Sequence, residues 1–181
     1  MIGFLDVQIG SAALIWLFLA AFMIHDLEEI IVMEGWMRKH HSSLQKRLPR
    51  TFARLIGKLG PMTGSRFAVP VAFELIAFIP ITFYAAERQQ YAFFLGINAI
   101  MFIHVFTHLG QSFLLKRYTP GVVTAVVVAL PYSAYLFYRL ISDGLITWND
   151  IWLSLPYGAI LAPIIGLGYW ASRYLTPAAV E

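Results

Sequence analysis

One short run carries most of the chain's chemical potential: His25-Asp26-Leu27-Glu28-Glu29, an imidazole and three carboxylates within two turns of helix. At about 100° per residue, His25, Glu28 and Glu29 project from one face in the i, i+3, i+4 arrangement, and Asp26 points elsewhere. Farther on, His104 and His108 stand one helical turn apart, with Gln111 a turn beyond on the same face and Asn98 flanking it. Glu74 is a single carboxylate in another apolar stretch. Crowded carboxylates repel unless a proton or cation neutralises them. Histidines at i and i+4 can grip one cation, and helical bundles build metal sites from inward His and Glu side chains. The expected ligand set is therefore His25, Glu28, Glu29, Glu74, His104 and His108, with Asn98 and Gln111 around it. Imidazole and carboxylate without thiolate suit Zn²⁺, Fe²⁺, Mn²⁺ or Ni²⁺ rather than Cu(I), so zinc or iron is expected, as one or two ions. A metal with an open position activates water, and Glu28 or Glu29 is the expected general base.

Composition says what must position these residues. The chain has 181 residues, 59% of them hydrophobic and only 13% charged, with a mean hydropathy of +0.69. A soluble domain is roughly a quarter charged, so this chain has too little polar surface to clothe a water-soluble globule. Its abundance of aromatic and branched residues excludes intrinsic disorder. A bilayer-spanning helix needs about 20 mainly apolar residues, and five stretches approach that length: 10–33, 67–86, 91–115, 121–138 and 151–171. The expected fold is an all-α transmembrane bundle, one integral membrane domain over residues 1–181. In the last stretch Pro156, Pro163 and three glycines interrupt the apolar run, breaks that neighbouring helices can absorb inside a membrane. Pro131 predicts a packing kink in the fourth. At about 1.5 Å per residue, Glu29, Glu74 and His108 fall roughly 10 to 14 Å from one membrane face, with His25 and His104 a turn deeper. Three helices thus place their ligands in one layer.

Of the 13 basic residues, all but Arg88 and Arg139 lie between the first and second spans, after the third, or after the fifth. The positive-inside rule then puts the basic loop 37–66 and the C-terminus in the cytoplasm and the N-terminus outside. This asymmetry accounts for the net charge of +3 without nucleic acid as a partner. Within the loop, Leu44, Leu48, Phe52, Leu55, Ile56 and Leu59 recur at helical spacing opposite the basic residues, which predicts an amphipathic helix lying on anionic lipid headgroups. With no cysteine there is no disulfide framework, thiolate metal site or c-type haem.

The motif has a familiar setting. His25-Asp26-Leu27-Glu28-Glu29 in a first apolar span, followed by Trp36, resembles the HXXEE family of small prokaryotic integral membrane proteins. The stretch His104-Val105-Phe106-Thr107-His108-Leu109-Gly110-Gln111-Ser112, running into Arg117-Tyr118-Thr119-Pro120-Gly121, is similar to that family's second half. The resemblance implies a membrane protein that uses His25, Glu28 and Glu29; it implies no substrate.

Five or six ligands from three helices could also hold two metals, as in carboxylate-rich di-iron bundles, although the order here is His-x-x-Glu rather than the Glu-x-x-His of those proteins. The leading expectation is a membrane metalloenzyme, hydrolytic or oxidative, acting on a small apolar or amphiphilic substrate. A divalent cation or proton transporter using the same site is the alternative, but transport needs polar groups toward both faces, and the outer halves of these spans are nearly all apolar. A b-type haem is disfavoured by the crowd of carboxylates. A metal-stabilised scaffold without turnover is the plainest reading.

Overall fold

The computed structural model describes residues 9–47 and 63–176, and these are helical with no strand among them. Helix α1 is Ser11–Arg47, α2 is Gly64–Arg88, α3 is Ala92–Leu115, α4 is Val122–Ser142, α5 is Trp148–Gly158 and α6 is Leu161–Leu175. The expected amphipathic helix of the first loop falls mostly in residues 48–62, outside the described residues. Four segments, namely α2, α3, α4 and the joined α5–α6 stretch Trp148–Leu175, are long and apolar enough to cross a membrane.

Helix α1 runs well past the expected end of its apolar stretch at residue 33. At 37 residues it is about 55 Å long, whereas a hydrocarbon core is only about 30 Å thick. No proline interrupts it, and its later turns are tied down: Trp36 Nε1 donates to the Tyr118 carbonyl at 2.8 Å, and Glu34 Oε2 accepts from the Gly64 amide at 3.2 Å. This extension pins both the start of α2 and the α3–α4 turn.

Helix α1 packs on α2, α2 on α6, and α3 on α5, while α4 packs against both α1 and α3. Away from the motif the core is aromatic. Phe18 meets Phe94 edge-on at 5.5 Å and Phe78 at 5.2 Å between ring centroids, and Phe22 meets Phe78 edge-on at 4.8 Å. Near the N-terminal end of α1, buried Arg139 donates to the Ile9 carbonyl, to Tyr135 and to Asp143, which in turn accepts from Ser11. Helix α4 thereby holds the beginning of α1 as the α3–α4 turn holds its later part.

Without a hydrophobic force between helices in lipid, close backbone approach through small residues drives packing. Gly96 of α3 lies so close to α5 that a Cβ there would sit 2.5 Å from the Ser154 carbonyl oxygen and 2.7 Å from the Gly158 amide nitrogen. Both neighbours are backbone and cannot swing aside. Gly96→Val is expected to lower the thermal unfolding midpoint, by an amount equivalent to about 1–3 kcal/mol of overpacking, measured by tryptophan fluorescence in detergent.

Both expected irregularities occur. Pro131 has no amide hydrogen, and the turn before it widens: residues Ala125–Ala129 are π-helical, and the Leu130 amide reaches back to the Ala125 carbonyl. Pro163 cannot donate to Ala159, so the backbone tightens there to i→i−3 bonds, Ile160 to Tyr157 and Ala162 to Ala159. The fifth apolar stretch is therefore two helices end to end.

Candidate metal centre

Four side chains that could ligate a metal converge from two helices. His25 and Glu29 of α1 and His104 and His108 of α3 each offer one ligand atom, and these atoms lie within 4.8 Å of one another. His25, Glu29 and His108 are buried, whereas His104 is open to a cavity. His108 Nε2 stands 2.8 Å from His104 Nε2 and 3.4 Å from Glu29 Oε1. Ligands about 2.0–2.1 Å from a tetrahedral Zn²⁺ are about 3.3 Å apart, so the cluster is of the right size for one ion. The three rings pack edge to face, with centroids 4.3 to 5.6 Å apart.

The opposite side of each ring shows why these atoms are free. Thr124 at the start of α4 has one hydroxyl proton, and its short contact of 2.6 Å to Glu28 Oε2 claims it. The Thr124 oxygen is left to accept from His25 Nδ1 at 3.1 Å. This network assigns the proton to Nδ1 and leaves the Nε2 lone pair of His25 for a cation. His104 repeats the device locally: Thr107 donates to the His104 carbonyl at 2.7 Å, and its oxygen faces His104 Nδ1 at 3.2 Å. His108 Nδ1 is buried without a hydrogen-bond partner among the described residues. Bound by Nδ1–H, rings of this kind turn Nε2 toward a metal and hold it there. His104 Nε2 and His108 Nε2, 2.8 Å apart, share one proton as a hydrogen bond or face one cation together.

Glu28 has a different task. Its Oε1 accepts from the Tyr118 hydroxyl at 2.5 Å, and its Oε2 accepts from both the amide and the hydroxyl of Thr124, at 2.7 and 2.6 Å. A carboxylate at a helix N-terminus satisfies free amides and complements the helix dipole. Glu28 thus joins α1 to α4 and stands outside the converging group. Burial, then the hydrogen bond to Glu28 and the charges of Glu28 and Glu29, push the Tyr118 hydroxyl well above the usual tyrosine range, so it remains a donor at any physiological pH.

Gly121 closes the centre from the α3–α4 turn. Its φ of +84° lies in the left-handed region, and a Cβ there would come within 2.5 Å of His108 Cε1 and 2.7 Å of Glu29 Oε1. The turn presses its backbone against two ligands. The buried Thr119 of the same turn shares a 2.7 Å hydrogen bond with Ser112 of α3.

A cavity of about 800 Å³ opens from the centre toward the later turns of α1. Its floor carries Asp26, Glu29, Glu74, His104 and His108, and its walls include Met33, Trp36, Phe67, Leu114, Ile165 and Tyr169. A smaller one of about 140 Å³ continues from Asp26, Glu74 and His104 and ends against Phe18, Phe22 and Phe78.

Of the residues expected from sequence, His25, Glu29, His104 and His108 are brought together. Glu74 is half-buried on the cavity floor beside them, and Gln111 lines the cavity wall. Asn98 is fully buried, donates to the Phe94 carbonyl, and lies away from the cavity lining. Sequence reasoning missed Thr124 and Asp26. A threonine in the first turn of a new span, three residues after Gly121, was the signal for the first. Asp26, turned away from His25 along the helix, is buried and faces the cavity between Glu29 and Glu74.

Comparison with known proteins adds a family. Residues 16–136 match the family model described as a protein of unknown function with HXXEE motif. The chain is 26% identical over 166 residues to the uncharacterized protein YrkK of Bacillus subtilis (strain 168), covering 88% of this chain and 96% of that protein. No solved structure matches.

Proposed function

From the premise that this chain belongs to the HXXEE family, we propose that it is an integral membrane metalloprotein whose motif divides into two ligands and one positioning residue. His25 and Glu29 join His104 and His108 around one divalent cation, zinc or iron, and Glu28 holds His25 in register through Thr124. The observation that carries this is the convergence of four ligand atoms within 4.8 Å while the Nδ1 atoms of His25 and His104 face threonine oxygens. A divalent ion in such a site supplies Lewis acidity and an activated water at neutral pH. The protein's residues orient the ligands, exclude bulk water and present an apolar cavity to an amphiphilic substrate. The general-base role expected of Glu28 or Glu29 moves off Glu28, whose two oxygens already accept three hydrogen bonds.

Supporting the membrane setting, the first half of α1 is apolar and would make a fifth crossing beside the four qualifying segments. The concentration of basic residues between α1 and α2 supports a cytoplasmic loop, an external N-terminus and a cytoplasmic C-terminus. Transport is the weaker reading, because the smaller cavity ends on the packed rings of Phe18, Phe22 and Phe78 rather than on a polar path.

A ligand that binds only the folded state stabilises it by RT ln(1 + [L]/Kd), about 4 kcal/mol at a thousandfold excess over Kd. Zn²⁺ or Fe²⁺ added to chelator-treated protein is expected to raise the unfolding midpoint by several degrees, reversibly on chelation, and Mg²⁺ is expected to leave it unchanged. No shift with any transition metal would refute the proposal. Glu28→Gln keeps the shape but weakens the charge-assisted bonds that orient Thr124 and His25. It is expected to lower metal affinity roughly 10- to 100-fold, read by competition with a fluorescent chelator, with the bound stoichiometry unchanged at saturation.

A further inference from the structure

Asp26 and Glu74 have no place in the metal centre. Their carboxylates lie outside the group of four converging ligands, yet both line the main cavity and the smaller one behind it, at the seam where the two meet. Asp26 is 93% buried, since its exposure is 7%, and makes no hydrogen bond or ion pair among the described residues. No lysine or arginine among the described residues lines the cavity. A buried carboxylate with no hydrogen-bond partner is costly; a proton meets that cost, and so does a cationic group that enters the cavity and donates to it.

The surroundings say what kind of ligand. A second metal ion needs convergent oxygens at about 2 Å, and these two carboxylates do not converge with the neighbouring ligands. An organic cation spreads its charge over a larger head and tolerates wider spacing, and an aromatic face such as that of Tyr169 on the cavity wall favours it further. The cavity beyond is about 800 Å³ and mainly apolar, fit for a hydrocarbon chain.

We propose that Asp26 and Glu74 form a recognition site for an ammonium group carried on an apolar chain, seating such an amphiphile with its head beside the metal centre. This rests on the metalloprotein reading above and names the class of molecule that reading leaves open.

The test uses full-length protein in phosphatidylcholine nanodiscs, titrated with dodecylammonium or with dodecanol at matched mole fraction in the bilayer, followed by tryptophan fluorescence against protein-free discs. Wild type is expected to bind the ammonium about tenfold or more tightly than the alcohol. Asp26→Asn combined with Glu74→Gln is expected to erase that preference while leaving alcohol binding and metal content intact. Equal binding of the two probes by wild type overturns the proposal without reliance on any variant. So does a preference that survives in the double variant, or a second equivalent of metal lost from it, which would make the pair metal ligands. Metal is assayed on the same samples. Ammonium selectivity in protein that takes up no metal would refute the metal centre and leave this site standing.

Discussion

His108→Ala is expected to lose more than roughly 100-fold in metal affinity, exceeding the effect typical of residues that only orient a ligand. His108 is the hub of the centre: its ring lies 2.8 Å from His104 Nε2, 3.4 Å from Glu29 Oε1 and 5.0 Å centroid to centroid from His25. Removing it takes away one of four ligands and leaves the other three around an empty space. The measurement is chelator competition on detergent-purified protein. Exogenous imidazole, which can enter that space from the adjoining cavity, is expected to restore part of the affinity, a result that a merely misfolded variant would not give. Asn98→Ala is the matched control. Asn98 is equally buried on the same helix, but its amide serves only the Phe94 carbonyl, so metal affinity is expected to stay at the wild-type level whatever the cost in stability.

The second large effect is expected at a residue with no functional group. Gly121→Ala places a methyl where His108 and Glu29 already stand, and it does so at a φ of +84°, where an L side chain is disfavoured by about 1–2 kcal/mol. The turn cannot relax freely, because Thr119 is bonded to Ser112 and the Tyr118 carbonyl is held by Trp36. Displacement of the ligands is therefore the easier response, and a loss of roughly 100-fold in metal affinity is expected. Circular dichroism should show the helix content retained. Wild-type affinity in Gly121→Ala would mean that the turn does not press on the centre as the structure has it.

These two residues also mark where sequence reading succeeds and where it stops. The four apolar stretches that became α2 through α6 were legible because hydropathy over about 20 residues is a property of the chain itself. The pairing of His104 with His108 was legible because helical spacing alone puts i and i+4 on one face. The layer read for Glu29, Glu74 and His108, with His25 and His104 a turn deeper, followed from rise per residue. What spacing cannot supply is which neighbour lies against a given face. Glu28 and Glu29 are adjacent and chemically alike. Glu29 meets α3, whereas Glu28 meets the free amide and hydroxyl at the start of α4, a difference set by where α4 begins in space. Asp26 was read as pointing away from the site because its direction was judged only against the face shared by His25, Glu28 and Glu29. With Glu74 of α2 in place, that direction leads onto the cavity floor. The length of α1 was underread for a related reason: hydropathy ends the membrane stretch, but the helix continues until its own tertiary contacts through Glu34 and Trp36 are spent.

A division of labour within the motif follows. In the proposed centre, Glu29 of His25-x-x-Glu28-Glu29 completes the ligand set, and Glu28, three residues after the histidine, holds the His25 ring through Thr124 of another helix.

The most direct test of the metal centre is elemental analysis of the purified, untagged protein after exchange into metal-free buffer. One zinc or iron ion per chain, removed by a strong chelator and absent from a His25→Ala, His108→Ala double variant that remains monodisperse, is the predicted result. Wild-type protein that carries no transition metal, even after incubation with each candidate ion, would contradict the account.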